Sequence, residues 1–257
     1  MNIEEMKKRK VELGYSNERL SVLSGVPIST IQKIFSGTTM KPRYETLLAL
    51  ERVLSSKSRF SETAFQYMAK PQGEYTREDL EAFPVDACVE LIDGVLYDMS
   101  GATHEHQLIT FNIGFQLKQH VIQNKGTCSV TVAPCDVHLQ ADDSKTAVQP
   151  DVFVVCDKSK ISRKNIEGAP DLVVEVLSPS TKKKDYTIKF LKYSEAGVRE
   201  YWLVDPDNQK VIVYLLGDDI NTFLYTFDEK IPVAIWNNEC YVDMKEIKEE
   251  IAFLYEE

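Results

Sequence analysis

The segments that decide the fold lie between residues 149 and 197, where 149-QPDVFVVC-156 and 169-APDLVVEVLS-178 precede 181-TKKKDYTIKFLKYSEAG-197. Short apolar runs bounded by proline and turn residues predict two buried strands. The third segment has the apolar period of a helix over 182–196 and ends at Gly197, a typical residue just past a helix end. Two strands followed by a helix therefore form the centre of a predicted α+β domain.

The flanking sequence adds a hairpin, a long helix and further strands to this centre. TREDLEAF (76–83) predicts a short capped helix, and CVELIDGVLYDM (88–99) predicts two strands joined by an Asp93-Gly94 turn. A helix is predicted over 106–123, and more strands follow in SVTVAPCDVHL, EYWLVD, KVIVYLL and FLYTF. The expected architecture is a mixed sheet flanked by helices.

One residue in the second strand does not suit a buried sheet. Glu175 stands in the middle of LVVEVL, where an unpaired carboxylate costs several kcal/mol unless a cation or a hydrogen-bond donor meets it. Asp151 opens the other strand, and adjacent strands can bring two such acids side by side. Two carboxylates completed by water molecules suit Mg²⁺, so Asp151 and Glu175 are the predicted metal ligands. Mn²⁺ is the alternative ion, and no organic cofactor is expected.

The helix after the strands carries a candidate cation. At about 100° per residue, Lys189 shares one stripe with Tyr186, Phe190 and Tyr193, whereas Lys192 falls outside it. We therefore expect Lys189 to face inward with the aromatic residues, and Asp185 one turn earlier could orient it. The three lysines at the helix start, residues 182–184, are expected to be solvated or to face phosphate.

Pro150-Asp151, Glu175 and an inward lysine resemble the PD-(D/E)xK nuclease motif, with Leu177 at the usual lysine position and the ammonium moved to Lys189. Over about residues 75–250, ELIDGVLYDMS, VQPDVFVV, GAPDLVVEVLSPST and AGVREYWLVDP resemble the Uma-type family of restriction endonucleases. The resemblance implies a restriction-endonuclease-like fold. It also implies that Glu90, Asp151, Glu175 and Lys189 match the active-site positions of that family.

Each candidate residue has a simpler interpretation beside the catalytic one. Asp151, Glu175 and Lys189 could form a structural ion-pair network. Glu90, on a hairpin strand, could be a solvent-facing acid instead of a third ligand. His106 is included among the catalytic candidates, although a histidine at a helix start is more often structural.

The first 55 residues predict a separate helical domain with helices at 3–13, 17–24, 28–35 and 44–54. Gly25, Val26 and Pro27 form a tight turn between the second and third helices, and Ser16 could cap the second. The run SNERLSVLSGVPISTIQKIFSG resembles the Cro-repressor type of helix-turn-helix, which implies binding to double-stranded DNA. The candidate DNA-contacting residues are Asn17, Ile28, Ser29 and Lys33. A helical bundle used only for protein contacts is the alternative.

The length and composition of the chain indicate which class of protein it belongs to and how it divides into domains. The chain has 257 residues, 43% of them hydrophobic and 27% charged, which fits a soluble globular protein and excludes a disordered one. We expect a helix-turn-helix domain at 1–57, a linker at 58–74 and the endonuclease-like domain at 75–257. Residues 1–70 carry 12 Lys and Arg against 7 Glu, or +5, which leaves −15 for the remaining residues. The two ends are therefore expected to have different partners.

Two further expectations concern the cell compartment and the thiols. There is no long apolar run to span a bilayer and no apolar segment near Met1, so a cytoplasmic protein without a membrane partner is expected. The five cysteines are odd in number and lack any C-x-x-C pair, so we expect them to be reduced and buried and expect no zinc site. They are Cys88, Cys128, Cys135, Cys156 and Cys240.

The function predicted from these features is a Mg²⁺-dependent endonuclease that its helix-turn-helix brings to duplex DNA, as a homodimer. The main alternative is a non-enzymatic transcriptional regulator that uses the nuclease-like domain for dimerisation or sensing. A nuclease acting on RNA or on particular nucleic-acid structures is a third possibility.

Overall fold

The structure is a computed structural model, and it describes residues 2–12, 15, 17–39, 42–55, 70–83, 89–99, 102–179 and 181–255. The chain divides into two compact units, Met1–Ala69 and Lys70–Glu257, which are considered separately. The predicted cap Ser16 and most of the predicted linker lie outside the described residues. Among the described residues, no helix has the length and apolar character needed to cross a bilayer.

Within its described residues, the first unit contains four helices close to the predicted ones. They are α1 (Ile3–Glu12), α2 (Asn17–Ser24), α3 (Ile28–Phe35) and α4 (Tyr44–Ser55). Gly25 has a φ of 68°, and the Ser21 hydroxyl donates a 2.6 Å hydrogen bond to the Val26 carbonyl, which fastens the turn between α2 and α3. The buried core of this unit consists of Met6, Leu20, Val26, Ile31, Ile34, Leu50 and Leu54.

A six-stranded mixed sheet is the centre of the second unit. Its strands are β3 (Ser129–Val132), β5 (Val152–Val155), β7 (Leu172–Val176), β8 (Glu200–Asp205), β9 (Lys210–Leu215) and β10 (Asn221–Thr226). The spatial order is β10-β9-β8-β7-β5-β3, and only the β7–β8 pair is parallel. The helix between β7 and β8 provides the crossover that a parallel pair requires. The predicted mixed sheet flanked by helices is confirmed.

Three smaller pairs of strands surround this sheet. They are the hairpin β1 (Val89–Ile92) with β2 (Val95–Asp98), β4 (Val137–His138) with β6 (Ile166–Glu167), and β11 (Lys230–Val233) with β12 (Cys240–Asp243). Helix α5 (Arg77–Glu81) begins with a capping box made by Thr76 and Asp79. The hairpin turns at Asp93 and Gly94, both with positive φ, as the sequence predicted.

Helices cover both faces of the sheet. Helix α6 (His104–Gln123) and helix α8 (Met244–Ile251) pack over the face that carries Val152, Val174 and Trp202. The other face, with Phe153, Val173 and Tyr201, is covered by α7. We use α7 for the continuous helix formed by Lys182–Lys184, the π-helical turn Asp185–Lys189 and Phe190–Ala196.

The cysteines differ from the sequence prediction. Cys128 and Cys156 form a disulfide, and this corrects the expectation that all five are reduced. The cause is the strand register: Ser129 pairs with Val155 in the antiparallel β3–β5 pair, so the next residues outward, 128 and 156, stand opposite each other. Cys135 and Cys240 are free thiols, of which Cys240 is buried, and Cys88 lies outside the described residues.

Candidate active site

The two predicted metal-binding acids meet near the ends of two adjacent interior strands of the sheet. The antiparallel β5–β7 register pairs Val152 with Val174, so one step further along it Asp151 stands opposite Glu175. Opposite residues project to the same face, which here is the face covered by α7. Asp151 Oδ2 also accepts a 2.7 Å hydrogen bond from the backbone N–H of Val176, and this bond anchors the acid to the neighbouring strand.

Lys189 lies buried among three carboxylates. Its Nζ is 2.8 Å from Glu175 Oε1, 2.7 Å from Glu90 Oε1 and 3.8 Å from Asp185 Oδ1. Burial alone would lower the pKa of Lys189, but the charges of Glu175, Glu90 and Asp185 outweigh it and raise that pKa well above its usual value. The side chain is therefore a permanent ammonium that points at Glu175. The inward orientation predicted for Lys189 is what the structure shows.

Glu90 joins two lysines of α7. It is fully buried, its Oε1 accepts hydrogen bonds from Lys189 and from the backbone N–H of Gln149 at 2.9 Å, and its Oε2 pairs with Lys184. Burial would raise the pKa of Glu90, but the two ammonium groups outweigh it and lower that pKa to about 2.

The solvent-facing interpretation of Glu90 and the solvated position expected for Lys184 are both corrected. Glu90 does not face solvent, because the hairpin packs its strand β1 inward, against α7. Lys184 is not a solvated lysine at the helix start, because it reaches Glu90 and lies 5.1 Å above the ring of Tyr97. Lys182 is also paired, at 2.7 Å, with Asp205, while Lys183 is exposed.

Two further polar groups lie at this site, of which the sequence predicted Asp185, beside Lys189, but not the Tyr193 hydroxyl. The buried Tyr193 hydroxyl donates a 2.6 Å hydrogen bond to Glu175 Oε1, the same oxygen that contacts Lys189. Asp185 is buried, and its Oδ1 has no hydrogen-bond donor among the described residues. The helical stripe already included Tyr193, so its period was the signal, but nothing in the sequence marked the hydroxyl as a partner of Glu175.

His106 contacts the site from the opposite face of the sheet. It lies in the first turn of α6, and its Nε2 is 3.3 Å from Asp151 Oδ2. Burial lowers the pKa of His106, but the hydrogen bond and the charge of Asp151 outweigh it, so the net shift is upward. The Asp151 carboxylate thus stabilises the protonated imidazole relative to that of a histidine in water. Lys192, in contrast, pairs with Asp93 near the surface.

The charges of the cluster favour a bound cation. The carboxylates of Glu90, Glu175 and Asp185 surround the ammonium groups of Lys184 and Lys189, and Asp151 adds a fourth acid beside Glu175. Burial, together with the neighbouring acids, raises the pKa of Glu175 well above its usual value in spite of Lys189. A divalent cation would offset this excess of negative charge.

The donor set fits Mg²⁺ in chemistry, with few ligands from the protein. Within the described parts of the chain, no three His, Cys, Asp or Glu side chains gather closely enough to hold a metal ion. Asp151 and Glu175 offer two carboxylates, and every oxygen of Glu90 is already engaged. Mg²⁺ commonly keeps several water ligands and takes only one or two carboxylates, so two acids suffice.

The predicted DNA-contacting residues lie on or beside α3 in the first unit. Ser29 and Lys33 are exposed, and Ile28 is partly exposed, while Ile31 and Ile34 of the same helix are buried in the core. Asn17 begins α2 and is half-buried. The side of α3 opposite its anchors is thus free to enter a groove.

Comparison with known proteins identifies both parts of the chain. Residues 75–230 match the Uma2 family, which is described as "Putative restriction endonuclease", and residues 6–59 match the helix-turn-helix family of DNA-binding domains. Because the first match spans more than half of the sequence, the chain belongs to the Uma2 family. It carries a helix-turn-helix domain in front of the nuclease-like one, which confirms the resemblance found in the sequence.

The chain is also similar to individual proteins. "Uncharacterized protein slr1290" from Synechocystis sp. is 30% identical over 131 residues, which are 51% of this chain and 67% of the relative. "Uncharacterized protein sll1609" from the same organism is 29% identical over 145 residues, covering 51% of this chain and 80% of the relative. A crystal structure of "a putative nuclease belonging to DUF820" from Anabaena variabilis has a TM-score of 0.55 and 22% identity over 68% of this chain and 97% of that one. This likeness confirms the fold.

Proposed function

We propose that this protein is a divalent-metal-dependent endonuclease that hydrolyses phosphodiester bonds in duplex DNA. The observation that carries the proposal is the buried Lys189 ammonium, 2.8 Å from Glu175 on β7, with Asp151 opposite Glu175 on β5. A buried cation beside paired acids at the ends of two neighbouring strands is suited to phosphoryl transfer, where the protein chiefly positions groups and stabilises charge.

In this proposal Asp151 and Glu175 hold the metal, which is Mg²⁺ with Mn²⁺ as the alternative. The ion would lower the pKa of a bound water and neutralise charge on the phosphate. Lys189 holds one oxygen of Glu175 and presents its positive charge to the attacked phosphate. His106 and the Val176 N–H orient Asp151, and the Tyr193 hydroxyl orients Glu175.

Glu90 is a positioning residue in this arrangement. Both of its oxygens are engaged, by Lys189 and Gln149 on one side and by Lys184 on the other, so none remains for a metal. Its fixed negative charge holds the Lys189 ammonium against Glu175. The family position that Glu90 occupies is therefore assigned to lysine placement and not to metal binding.

The helix-turn-helix supplies the contact with DNA. Ile28, Ser29 and Lys33 on α3 approach the major groove, and Asn17 approaches a phosphate. Helix-turn-helix modules commonly bind paired half-sites about one helical turn apart as dimers, so we propose that the protein acts as a homodimer. The acidic second unit gains little affinity for DNA on its own.

Plasmid cleavage tests the catalytic part of the proposal. We expect nicking of supercoiled DNA in the presence of Mg²⁺ or Mn²⁺, no nicking with EDTA, and loss of nicking in Asp151→Asn and Glu175→Gln. Asp93→Asn is the matched control, because it removes an exposed acid from a turn that asparagine also tolerates. Lys33→Ala should retain nicking of a non-specific substrate.

A non-enzymatic regulator is the second candidate. Two observations favour it. The described residues contain no three-ligand metal cluster, and Lys189 forms ion pairs with Glu90 and Glu175 that could serve structure alone. A wild-type protein that binds duplex DNA but leaves DNA, RNA and branched substrates intact with either metal would select this function. Cleavage of RNA or branched substrates alone would reassign the substrate and keep the enzyme.

A further inference from the structure

The outward side of α6 carries three large apolar side chains. Phe111, Phe115 and Ile122 are 62%, 53% and 65% exposed, although a surface helix ordinarily turns polar residues to solvent. Together with His104 they fall within an arc of about 40° at 100° per residue, so they form one straight stripe. Large exposed side chains in one stripe mark an interaction surface, whereas scattered ones do not.

The C-terminal turn extends this stripe. Phe253, Leu254 and Tyr255 are between 36% and 56% exposed. The ring of Phe253 meets His104 edge-on at 6.3 Å, and the Tyr255 hydroxyl bonds to Glu105, so the turn lies against the start of α6. We call the combined surface the α6 patch, which consists of Phe111, Phe115, Ile122, Phe253, Leu254 and Tyr255.

We propose that the α6 patch is the surface on which a second copy of this chain docks, with the two α6 helices packed against each other about a two-fold axis. In a two-fold interface, residues near the axis meet their own copies, so any charge there faces a like charge. The 20 residues of α6 include one glutamate and one lysine, Glu105 and Lys118, whereas 27% of the whole chain is charged.

Charge also selects a second copy over another kind of partner. Residues 71–257 carry a net −15, so two such units repel each other over most of their surface. The α6 patch combines a large exposed apolar area with few charges, so the repulsion between two copies is weak there. A basic partner would instead be drawn to the acidic surface elsewhere.

The area of the patch is of the right order for a dimer. At about 200 Å² for a large side chain, the exposed fractions of the six residues amount to roughly 600 Å² per copy. A standard interface buries about 800 Å² on each partner. The polar residues flanking the stripe can form its rim, and they are Lys118, about 20° from Phe111 at 100° per residue, with Gln107, Gln119 and Gln123.

The interface would couple two candidate active sites. His106, in the first turn of α6, contacts Asp151, so two packed α6 helices hold two sites at a constant separation. This placement rests on the proposed homodimeric endonuclease, and fixed spacing of that kind suits attack on both strands of a duplex.

Sedimentation equilibrium of the full chain at micromolar concentration tests the surface. We expect a dimer for the wild type and an at least 100-fold rise in the dimer dissociation constant for the double variant Phe111→Glu, Phe115→Glu. The matched control Phe223→Glu, Leu224→Glu adds the same charge at two exposed apolar residues of β10 and should remain dimeric. Circular dichroism and thermal unfolding establish that each variant is folded.

Variants with one added cysteine provide a second measurement if the glutamate variant does not fold. Phe115→Cys should give an intermolecular disulfide on mild oxidation, beyond any seen for the wild type, whereas Leu191→Cys, at an exposed position of α7, should not. Failure of both Phe115→Cys and Phe111→Cys to cross-link would overturn the surface.

The outcomes separate this inference from the function on which it rests. A monomeric wild type overturns both the α6 interface and the homodimer. A folded glutamate variant that stays dimeric overturns the interface and leaves the homodimer. If the glutamate variant dissociates as expected but the wild type shows no nuclease activity, the interface is supported and the proposed endonuclease function is ruled out.

Discussion

Lys189 reaches the paired acids from a helix, while the strand position two residues after Glu175 is occupied by Leu177, buried in the core. A lysine side chain is long enough for either route, because four methylene groups separate its charge from the backbone. The helical route adds Glu90 and Asp185 as neighbours of the ammonium, neither of which a strand position would guarantee. At residue scale the site is thus one buried cation surrounded by acids.

Replacing this cation tests its role. Lys189→Met should reduce metal-dependent cleavage by roughly 10² to 10³-fold, the usual loss when one preorganised charge at a reacting centre is removed. Because Glu175, Glu90 and Asp185 stay buried while losing the ammonium that they share, the substitution should also cost about 3–5 kcal/mol of the free energy of unfolding, measured in urea. Lys192→Met is the control: its partner Asp93 is exposed, so stability should change by less than about 1 kcal/mol and cleavage very little.

The low pKa of Glu90 predicts how the stability of the fold depends on pH. Its pKa of about 2 lies below the value near 4.3 expected for the unfolded chain, so Glu90 stabilises the fold above that unfolded value. The contribution is lost as the pH falls through the folded value. Glu90→Gln should therefore lower the free energy of unfolding by roughly 3 kcal/mol at pH 7, and by about half as much at pH 3, which lies between the two pKa values.

Urea unfolding at both pH values measures this difference. Glu195→Gln, at an exposed position of α7, should leave the free energy of unfolding within about 0.5 kcal/mol at either pH. An equal cost of Glu90→Gln at pH 7 and pH 3 would mean that Glu90 is not held as a carboxylate by Lys184 and Lys189.

At element scale, the shape of α7 decides which side chains enter the site. A regular α-helix places Tyr186, Lys189, Phe190 and Tyr193 on one stripe, but the π-helical turn at Asp185–Lys189 widens the helix locally. Asp185, Lys189 and Tyr193 are buried as a result, and Tyr186 and Phe190 are only half-buried. Lys189 still faces inward as predicted, and the buried residues on either side of it along the helix are Asp185 and Tyr193.

Helix α3 is the second element whose exposed face can be tested. The double variant Ser29→Ala, Lys33→Ala should weaken binding to duplex DNA by roughly 1–3 kcal/mol and reduce the salt slope, because both exposed side chains face away from the core. Lys8→Ala, which removes an exposed lysine from α1, is the control for charge alone. Fluorescence anisotropy measures both, and unchanged binding of the double variant would rule out α3 as the DNA-reading helix.

At the scale of the whole molecule, charge is divided unevenly between the two ends of the chain. Residues 1–70 carry +5 and the remainder −15, so attraction to DNA is concentrated in the helix-turn-helix end. With about four phosphate contacts, affinity for duplex DNA should fall roughly 100-fold between 50 and 200 mM salt.

Titration of the full chain at several salt concentrations checks this. A slope of log affinity against log salt near zero would show that phosphate neutralisation does not drive binding. A slope twice the expected size would indicate that basic residues of the second unit also contact DNA.

Local patterns in the sequence were enough to predict most of the fold. The alternation of apolar and polar residues, turn residues such as Asp93-Gly94 and the helical period around Lys189 are properties of neighbouring residues, and they predict strands, turns and the inward face of a helix. For the same reason Asp151 and Glu175 could be expected side by side, since each marks the end of one of two adjacent strands.

Partners distant in sequence were decided by tertiary structure alone. Glu90 meets Lys184 and Lys189 across more than 90 residues, and Cys128 meets Cys156 only because of the β3–β5 register. The solvent exposure of the α6 patch likewise depends on which side of that helix the sheet covers. Periodicity determines which side of an element is apolar, but the identity of the element packed against it depends on how the whole chain folds.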